Sequence, residues 1–360
     1  MNRFEASTRI LSGYGAVEAL AEFGGKRVMV VTDPFFQENG TAATVAAAAK
    51  AEAVEVFHRV KPDPSVALAA EGTAALKAFQ PDLVVALGGG SAMDCAKAMV
   101  YFSGKEIPLV AIPTTSGSGS EVTDFAILTH DGVKHPLVDR RLRPVAAILD
   151  SALLEKLPKG LIADAGFDVL THAAEAFVAR DAGMISDCLA AEAFRTVYAL
   201  LPASYGGDTS VRLKIHQAAT MAGMSFTQAG LGLCHALAHS LGGIYHVPHG
   251  RLNAILLPAV MDCNGYAAGE KYAKLASVAG IPGSAQTIAL RNLKNGLIRL
   301  RRELGMPATL REAGIDPGNL RRSTDRILRA VLEDPCCGGN PIRVEDFMVR
   351  RILDQVAGRG

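Results

Sequence analysis

The sequence has no tryptophan, no excess of either charge, no apolar run of membrane length and no regular cysteine spacing. The missing tryptophan excludes nothing about function. The charge balance is more informative: 37 Lys and Arg face 36 Asp and Glu, a formal net charge of +1, so no field steers the chain toward nucleic acid or an anionic membrane. Basic residues gather only in RNLKNGLIRLRR (291–302), which reads as the solvated side of a helix. The start, MNRFEASTRILSG, lacks the apolar stretch and small-residue cleavage site of a secretory leader. Cys95, Cys188, Cys234, Cys263, Cys336 and Cys337 are expected to be reduced thiols in a cytoplasmic protein.

What is present is a chain of 360 residues, 49% apolar and 20% charged, enough for a large core and two domains. The first 150 residues alternate between apolar strand-like runs and Ala-rich helical stretches. Strands are expected at 27–33, 54–60, 83–88, 108–115, 125–130 and 146–150, with helices at 41–53, 66–79 and 91–102. This alternation predicts a doubly wound parallel sheet, a Rossmann-like domain over 1–155. Beyond Asp150 strand-like runs nearly vanish, and helical spacing recurs through 160–205, 211–229, 235–260 and 285–333. An all-α domain over 156–360 follows, with an active site expected in the cleft between the two.

Two loops read as an anion cradle. In LVVALGGGSAMDCAKAM a strand runs into Gly88, Gly89 and Gly90, with Ser91 placed to cap the next helix. The pattern is neither G-x-G-x-x-G nor a Walker loop, which would need Gly-Lys-Ser/Thr. The next strand runs into IPTTSGSGSEVTD, rich in Gly and hydroxyls. Two such loops at successive strand ends match the ligand crevice of an open α/β sheet; the bland alternative is a pair of surface turns. Asp33, after the first expected strand, suits the two ribose hydroxyls of NAD(H) and would repel the 2′-phosphate of NADP(H), although an Asp at a strand end is often a plain helix cap.

A metal site is written in two pieces. Asp168 and His172 stand four apart in GFDVLTHAAEAF, on one helical face. His235, His239, His246 and His249 crowd into GLCHALAHSLGGIYHVPHG, where His235 and His239 repeat the spacing and His249 follows in a turn marked by Pro248 and Gly250. A carboxylate with imidazoles suits a catalytic Fe, Zn or Mn ion. A zinc-protease reading fails, since Ala236 stands where Glu would be needed. A lone His is more often a satisfied core or surface group, and His58, His130, His135 and His216 are read that way.

Together, GGGSAMDCAK (88–97), PTTSGSGSEVT (113–123), GFDVLTHAAEAF (166–177) and GLCHALAHSLGGIYHVPHG (232–250) resemble the iron-containing (group III) alcohol dehydrogenases over essentially the whole chain. STRILSGYG, GVKHPLVD and HQAATMAGMSFTQAGLGL are most similar to the microcompartment-associated propanol dehydrogenases within that family. The resemblance implies the dehydroquinate synthase-like fold, Asp168, His172, His235 and His249 as ligands of Fe2+ or Zn2+, and His239 as a proton relay beside the nicotinamide. It implies Gly89, Gly90, Ser91 and Asp94 around the pyrophosphate and nicotinamide ribose of NAD(H), with Lys97 close by and Thr114, Thr115 and Ser118 completing the wall. Asp33 matches the family's adenosine-ribose carboxylate, and Phe226 and Cys336 match pocket-facing positions. Phe125 replaces a polar residue of some members and would favour a small apolar substrate; Ile342 stands where Arg is frequent.

The implied reaction is hydride transfer between NAD(H) and a short primary alcohol or aldehyde such as 1-propanol or propanal, in a homodimer or larger homo-oligomer that is cytoplasmic or enclosed in a microcompartment. Alternatives are a reductase of an anionic aldehyde (sulfoacetaldehyde or succinic semialdehyde) with Arg251 or Arg140 holding the anion, and a glycerol-dehydrogenase-like or dehydroquinate-synthase-like enzyme. A cyclase of the last kind needs a basic pocket, and 166–250 offers few Lys or Arg. A non-catalytic nucleotide- or metal-binding module is a further alternative.

Overall fold

The computed structural model describes residues 4–130 and 133–358. The first three residues of the N-terminal stretch and Gly132 of GVKHPLVD lie outside the described residues, as do 131, 359 and 360.

Six parallel strands form one sheet: β1 (Arg9–Gly13), β2 (Arg27–Val31), β3 (Ala53–Phe57), β4 (Leu83–Gly88), β5 (Leu109–Pro113) and, after the hairpin β6 (Phe125–His130) and β7 (Val133–Val138), β8 (Ala146–Asp150). The order is β1-β8-β5-β4-β2-β3. Between the strands run α1 (Pro34–Glu38), α2 (Thr41–Ala48), α3 (Val66–Phe79) and α4 (Gly90–Ser103). Side chains alternate across the sheet, as a period of two requires. Met29, Val31, Val84 and Ala86 join one core with Leu76, Cys95 and Met99 of α3 and α4; Val28, Val30, Leu83, Val85 and Leu87 join the other with Leu20, Ala42 and Val45. Burial on both faces is why these strands read as unbroken apolar runs.

Several expectations are corrected here. The segment 125–130 is a strand, but it pairs antiparallel with β7 in a separate two-stranded sheet. Strand β1 and its parallel pairing with β8 were not expected, because RILSG alternates with polar residues and looks like loop. The helix expected from Ser91 begins at Gly90 with Gly89 at its N-cap, so Ser91 sits inside the first turn and does not cap it.

The rest is helical: α5 (Lys159–Val178), α6 (Met184–Gly206), α7 (Arg212–Ala229), α8 (Leu233–Tyr245), α9 (His249–Val278), α10 (Gln286–Glu303), α11 (Pro317–Glu333) and α12 (Asp346–Val356). The run expected at 160–205 is two helices, broken after Val178, and 235–260 is likewise divided between α8 and α9. The chain forms two compact units that differ from a single cut at 155: one holds Ala6–Leu157 plus Arg212–Gly223, the other mainly Pro158–Val211 and Met224–Gly360. The first half of α7 joins the sheet unit for a visible reason. His216 Nδ1 meets Ser116 Oγ at 2.9 Å, Thr220 donates to Glu121 at 2.6 Å, and a Cβ on Gly223 would crowd the Gly119 carbonyl at 2.8 Å. No helix among the described residues is long and apolar enough to cross a membrane.

Candidate metal and dinucleotide sites

In the sheet unit, three adjacent strands β2, β4 and β5 bring their C-terminal ends together. Gly88 ends β4 at φ +147, a conformation reserved for glycine, and its carbonyl accepts from Thr114 N at 2.9 Å. A Cβ on Gly89 would stand 3.3 Å from Thr115 Oγ1, and one on Gly90 3.1 Å from Ser118 Oγ. The second loop thus lies against the first, and only glycine leaves the gap open. Asp33 caps α1 by accepting from Phe36 N at 3.2 Å through Oδ1; its Oδ2 faces Gly88. Free N–H groups at the start of α4 and hydroxyls from the second loop make a cradle suited to a diphosphate.

Two expected members of the cradle have other partners. Lys97 is 1% exposed, and its ammonium donates to Ser120 Oγ, Thr123 O, Thr123 Oγ1 and Phe125 O at 2.8–3.1 Å. It fastens the second loop to β6. Burial lowers its pKa to about 8, against the pull of Asp94 and Glu121. Asp94 accepts from Ser120 Oγ at 2.8 Å and from Ile127 N at 3.1 Å, bracing the same loop. Phe125 is half-buried on β6, with the Lys97 ammonium 5.9 Å from its ring centre.

In the helical unit, α5 is buried on nearly every side and carries Asp168 and His172 one turn apart. Helix α8 supplies His235, and its last turn is closed by His246, exposed and left-handed at φ +55. Pro248 then starts α9, so His249 is the first residue of a 30-residue helix and not a turn residue. A Cβ on Gly250 would overlap the Asp164 carbonyl, so this glycine lets α9 approach α5 closely. Arg251 clamps the same contact, donating to both carboxylate oxygens of Asp164 at 3.0 and 3.2 Å.

These elements focus three imidazole nitrogens on one carboxylate oxygen. Asp168 Oδ1 lies 3.9 Å from His172 Nε2, 3.8 Å from His235 Nε2 and 3.5 Å from His249 Nε2. Donor atoms of Asp168, His235 and His249 all fall within 4.8 Å of one another. Ligands at ~2.1 Å from a common ion stand roughly 3.0–3.5 Å apart, and the Asp168–imidazole distances lie at or just above that range. His172, close to Asp168, and His239 both fall outside this group of three, and His239 joins another, with Asp334 and Cys336.

The partners behind these candidate ligands matter as much. Glu175 is 4% exposed and accepts from His235 Nδ1 at 2.7 Å, which leaves Nε2 facing Asp168. The same carboxylate accepts from Gly232 N at 2.9 Å and Cys234 N at 2.6 Å, capping α8. Gly232 is required there, since a Cβ would stand 2.8 Å from Glu175 Oε1. Asn253 donates to Asp168 Oδ1 at 2.9 Å. Asn340 accepts from Leu233 N at 3.3 Å and donates to the Ile342 carbonyl at 2.9 Å; that last contact is indifferent to the side chain at 342. Phe226, expected to line the pocket, is 3% exposed and stacks on His172 with ring centres 4.4 Å apart.

Sequence reasoning missed Glu175, Asn253 and Asp334. The signal was there for two of them. Glu175 is seven residues past Asp168 and Asn253 four past His249, each on the ligand-bearing helix face. Nothing in the sequence joins Asp334 to His239, 95 residues away.

The electrostatics ask for a cation. Burial opposes ionisation of Asp168, but His172, His249 and His235 outweigh it and hold its carboxyl below the usual range. Burial likewise opposes protonation of His235, yet bonds to Asp168 and Glu175 raise its pKa to about 9. Two buried carboxylates draw positive charge here, as protons or as a metal ion.

The domain model "Iron-containing alcohol dehydrogenase" matches residues 7–151, and "Fe-containing alcohol dehydrogenase family, C-terminal" matches 162–357. The chain belongs to the iron-containing alcohol dehydrogenase family. It is 38% identical over 372 residues to 1-propanol dehydrogenase PduQ of Salmonella typhimurium, covering 99% of this chain and 100% of that protein. It is 35% identical to the NADPH-dependent butanol dehydrogenase of Clostridium saccharobutylicum, covering 99% and 98%. Among solved structures it resembles sulfoacetaldehyde reductase from Bifidobacterium kashiwanohense in complex with NAD+, with a TM-score of 0.89, 26% identity and full coverage of both chains. The chain is therefore an oxidoreductase with the fold of this family.

Proposed function

We propose that this enzyme interconverts a short primary alcohol and its aldehyde, 1-propanol and propanal in the first instance, using NAD(H) and a divalent cation, Fe2+ or Zn2+. The observation that carries the reading is the convergence of His172, His235 and His249 on Asp168 Oδ1, with Glu175 orienting His235 from behind. Three neutral imidazoles and one carboxylate suit a catalytic divalent ion. A bound cation would polarise the aldehyde carbonyl, and NADH would supply the hydride to its carbon.

The chain's own residues do the rest. Asp168 offsets one unit of the cation's charge while Asn253 fixes its carboxylate. Glycines 88–90, Ser91, Thr114, Thr115 and Ser118 bind the dinucleotide diphosphate, and the free Oδ2 of Asp33 accepts from the adenosine ribose. His239, half-buried and oriented by Asp334 Oδ2 at 2.9 Å, passes the proton to the oxygen as the alcohol forms. The enzyme acts as a homodimer or larger homo-oligomer, in the cytoplasm or in a microcompartment; that location rests on the likeness to PduQ.

An anionic aldehyde is the second reading, carried by the likeness to the sulfoacetaldehyde reductase. Against it, Arg251 is committed to Asp164 and Arg140 is exposed on the sheet unit. The deciding assay is initial rates with acetaldehyde, propanal, butanal and sulfoacetaldehyde, each with NADH or NADPH and added Fe2+ or Zn2+. Propanal with NADH should give the highest kcat/KM, and Asp33→Gly should relax the enzyme toward NADPH. A preference for sulfoacetaldehyde, or for NADPH in the unaltered enzyme, would overturn the assignment.

A further inference from the structure

A second group of metal-ligating side chains lies outside the four ligands above. His239 on α8, and Asp334 and Cys336 at the end of α11, bring an imidazole nitrogen, a carboxylate oxygen and a thiol within 4.8 Å of one another. The local backbone explains the convergence. Asp334 ends α11 and begins the 3-10 turn Pro335–Gly339, where its Oδ1 accepts from Cys336 N at 2.8 Å. That bond fixes the carboxylate beside its own turn and leaves Oδ2 directed at His239 Nδ1, 2.9 Å away. His239 and Asp334 keep 23% and 14% of their side-chain surface accessible, so an ion in solvent can reach them.

We infer that His239, Asp334 and Cys336 form a second, lower-affinity cation site, selective for zinc, whose occupancy takes His239 out of the reaction. The donor set is the reason for the selectivity. Thiolate, imidazole and carboxylate together match zinc, whereas Asp168 and its three imidazoles offer no sulfur and accept iron equally well. On binding, the Cys336 thiol gives its proton to solvent, the Asp334–His239 hydrogen bond is replaced by two metal–ligand bonds, and the imidazole loses its Nδ1 proton to solvent and takes one up on Nε2, so that it stays neutral. Three protein ligands leave water to complete a tetrahedron, which accords with weaker binding than a closed structural site. Zinc would then activate at the first site and inhibit at the second. The inference rests on the proposed function in one respect, that His239 is not a ligand of the first site and serves as the proton relay.

Cobalt reports the two sites separately, because only a thiolate ligand produces a near-ultraviolet sulfur-to-cobalt charge-transfer band. Titration of Co2+ into the chelated protein should show a first equivalent without this band and a second with it. Cys336→Ser should lose the band and keep the first equivalent. Asp168→Asn should lose the first equivalent and keep the band. Zinc inhibition of Cys336→Ser, measured relative to its own rate at one equivalent, should have its midpoint raised about tenfold or more. Saturation without a charge-transfer band, or a band that survives Cys336→Ser, would overturn the second site. If Asp168→Asn retains all its cobalt, the four-ligand reading fails while a band still dependent on Cys336 upholds the second site.

Discussion

The two candidate sites are built on opposite principles. The cradle at the ends of β2, β4 and β5 is mostly backbone: glycines that admit a ligand, N–H groups at a helix start, and hydroxyls from a second loop. The metal cluster is nearly all side chain: Asp168, His172 and His235 are buried, His249 is partly exposed, and Glu175 and Asn253 hold them from behind. The difference teaches where each should break. A backbone site fails when a side chain intrudes. A charge cluster fails when one member leaves and the others are stranded without a partner.

The largest effect tests that separation. His235→Ala or His249→Ala should abolish metal retention and lower kcat/KM by roughly 10³ or more, the several kcal/mol expected of a lost Lewis acid. NADH affinity, followed by fluorescence titration, should stay within a few fold; an equal loss of NADH binding would show that the two regions are not separable.

The cradle's support should fail in acid. Burial lowers the pKa of His216, which holds Ser116, to about 4. A depressed imidazole means the folded state disfavours its proton. Its contribution is therefore intact above the unfolded value near 6.5, and ~3 kcal/mol is lost as pH falls from there toward 4. Urea midpoints of the native protein and of His216→Asn at pH 7 and pH 4.5 check this: the variant should show the shallower drop.

Glu175→Gln comes next. It keeps the shape but loses the charge behind His235, so metal affinity should fall roughly 10–100-fold in chelator competition. Gly90→Ala should act on the other side alone. A methyl 3.1 Å from Ser118 Oγ should raise the KM for NADH about tenfold with metal content unchanged.

The same contrast governs how much could be read from the sequence. Contiguous glycines after an apolar run and His or Asp four apart are local signals, and both led to residues that the structure gathers. The six-stranded sheet was legible at the inner strands β2, β4, β5 and β8 and at the edge strand β3, whose β-branched and aromatic residues persist, and illegible at β1, the other edge, where polar residues intrude. The resemblance places Lys97 near the pyrophosphate, but no local pattern gives its direction: its long stem runs inward to acceptors on Ser120, Thr123 and Phe125. The capture of 212–223 by the sheet unit depends on contacts made across a hundred residues, which no local pattern carries.

The most direct test of the whole account is stepwise reloading of the chelated enzyme with Fe2+ under anaerobic conditions, with bound iron and propanal reduction measured at each step. One ion held by Asp168, His172, His235 and His249 predicts negligible turnover at the start, a rise in proportion to the first equivalent per chain, and a plateau there. Full turnover in protein shown to be free of metal would contradict it.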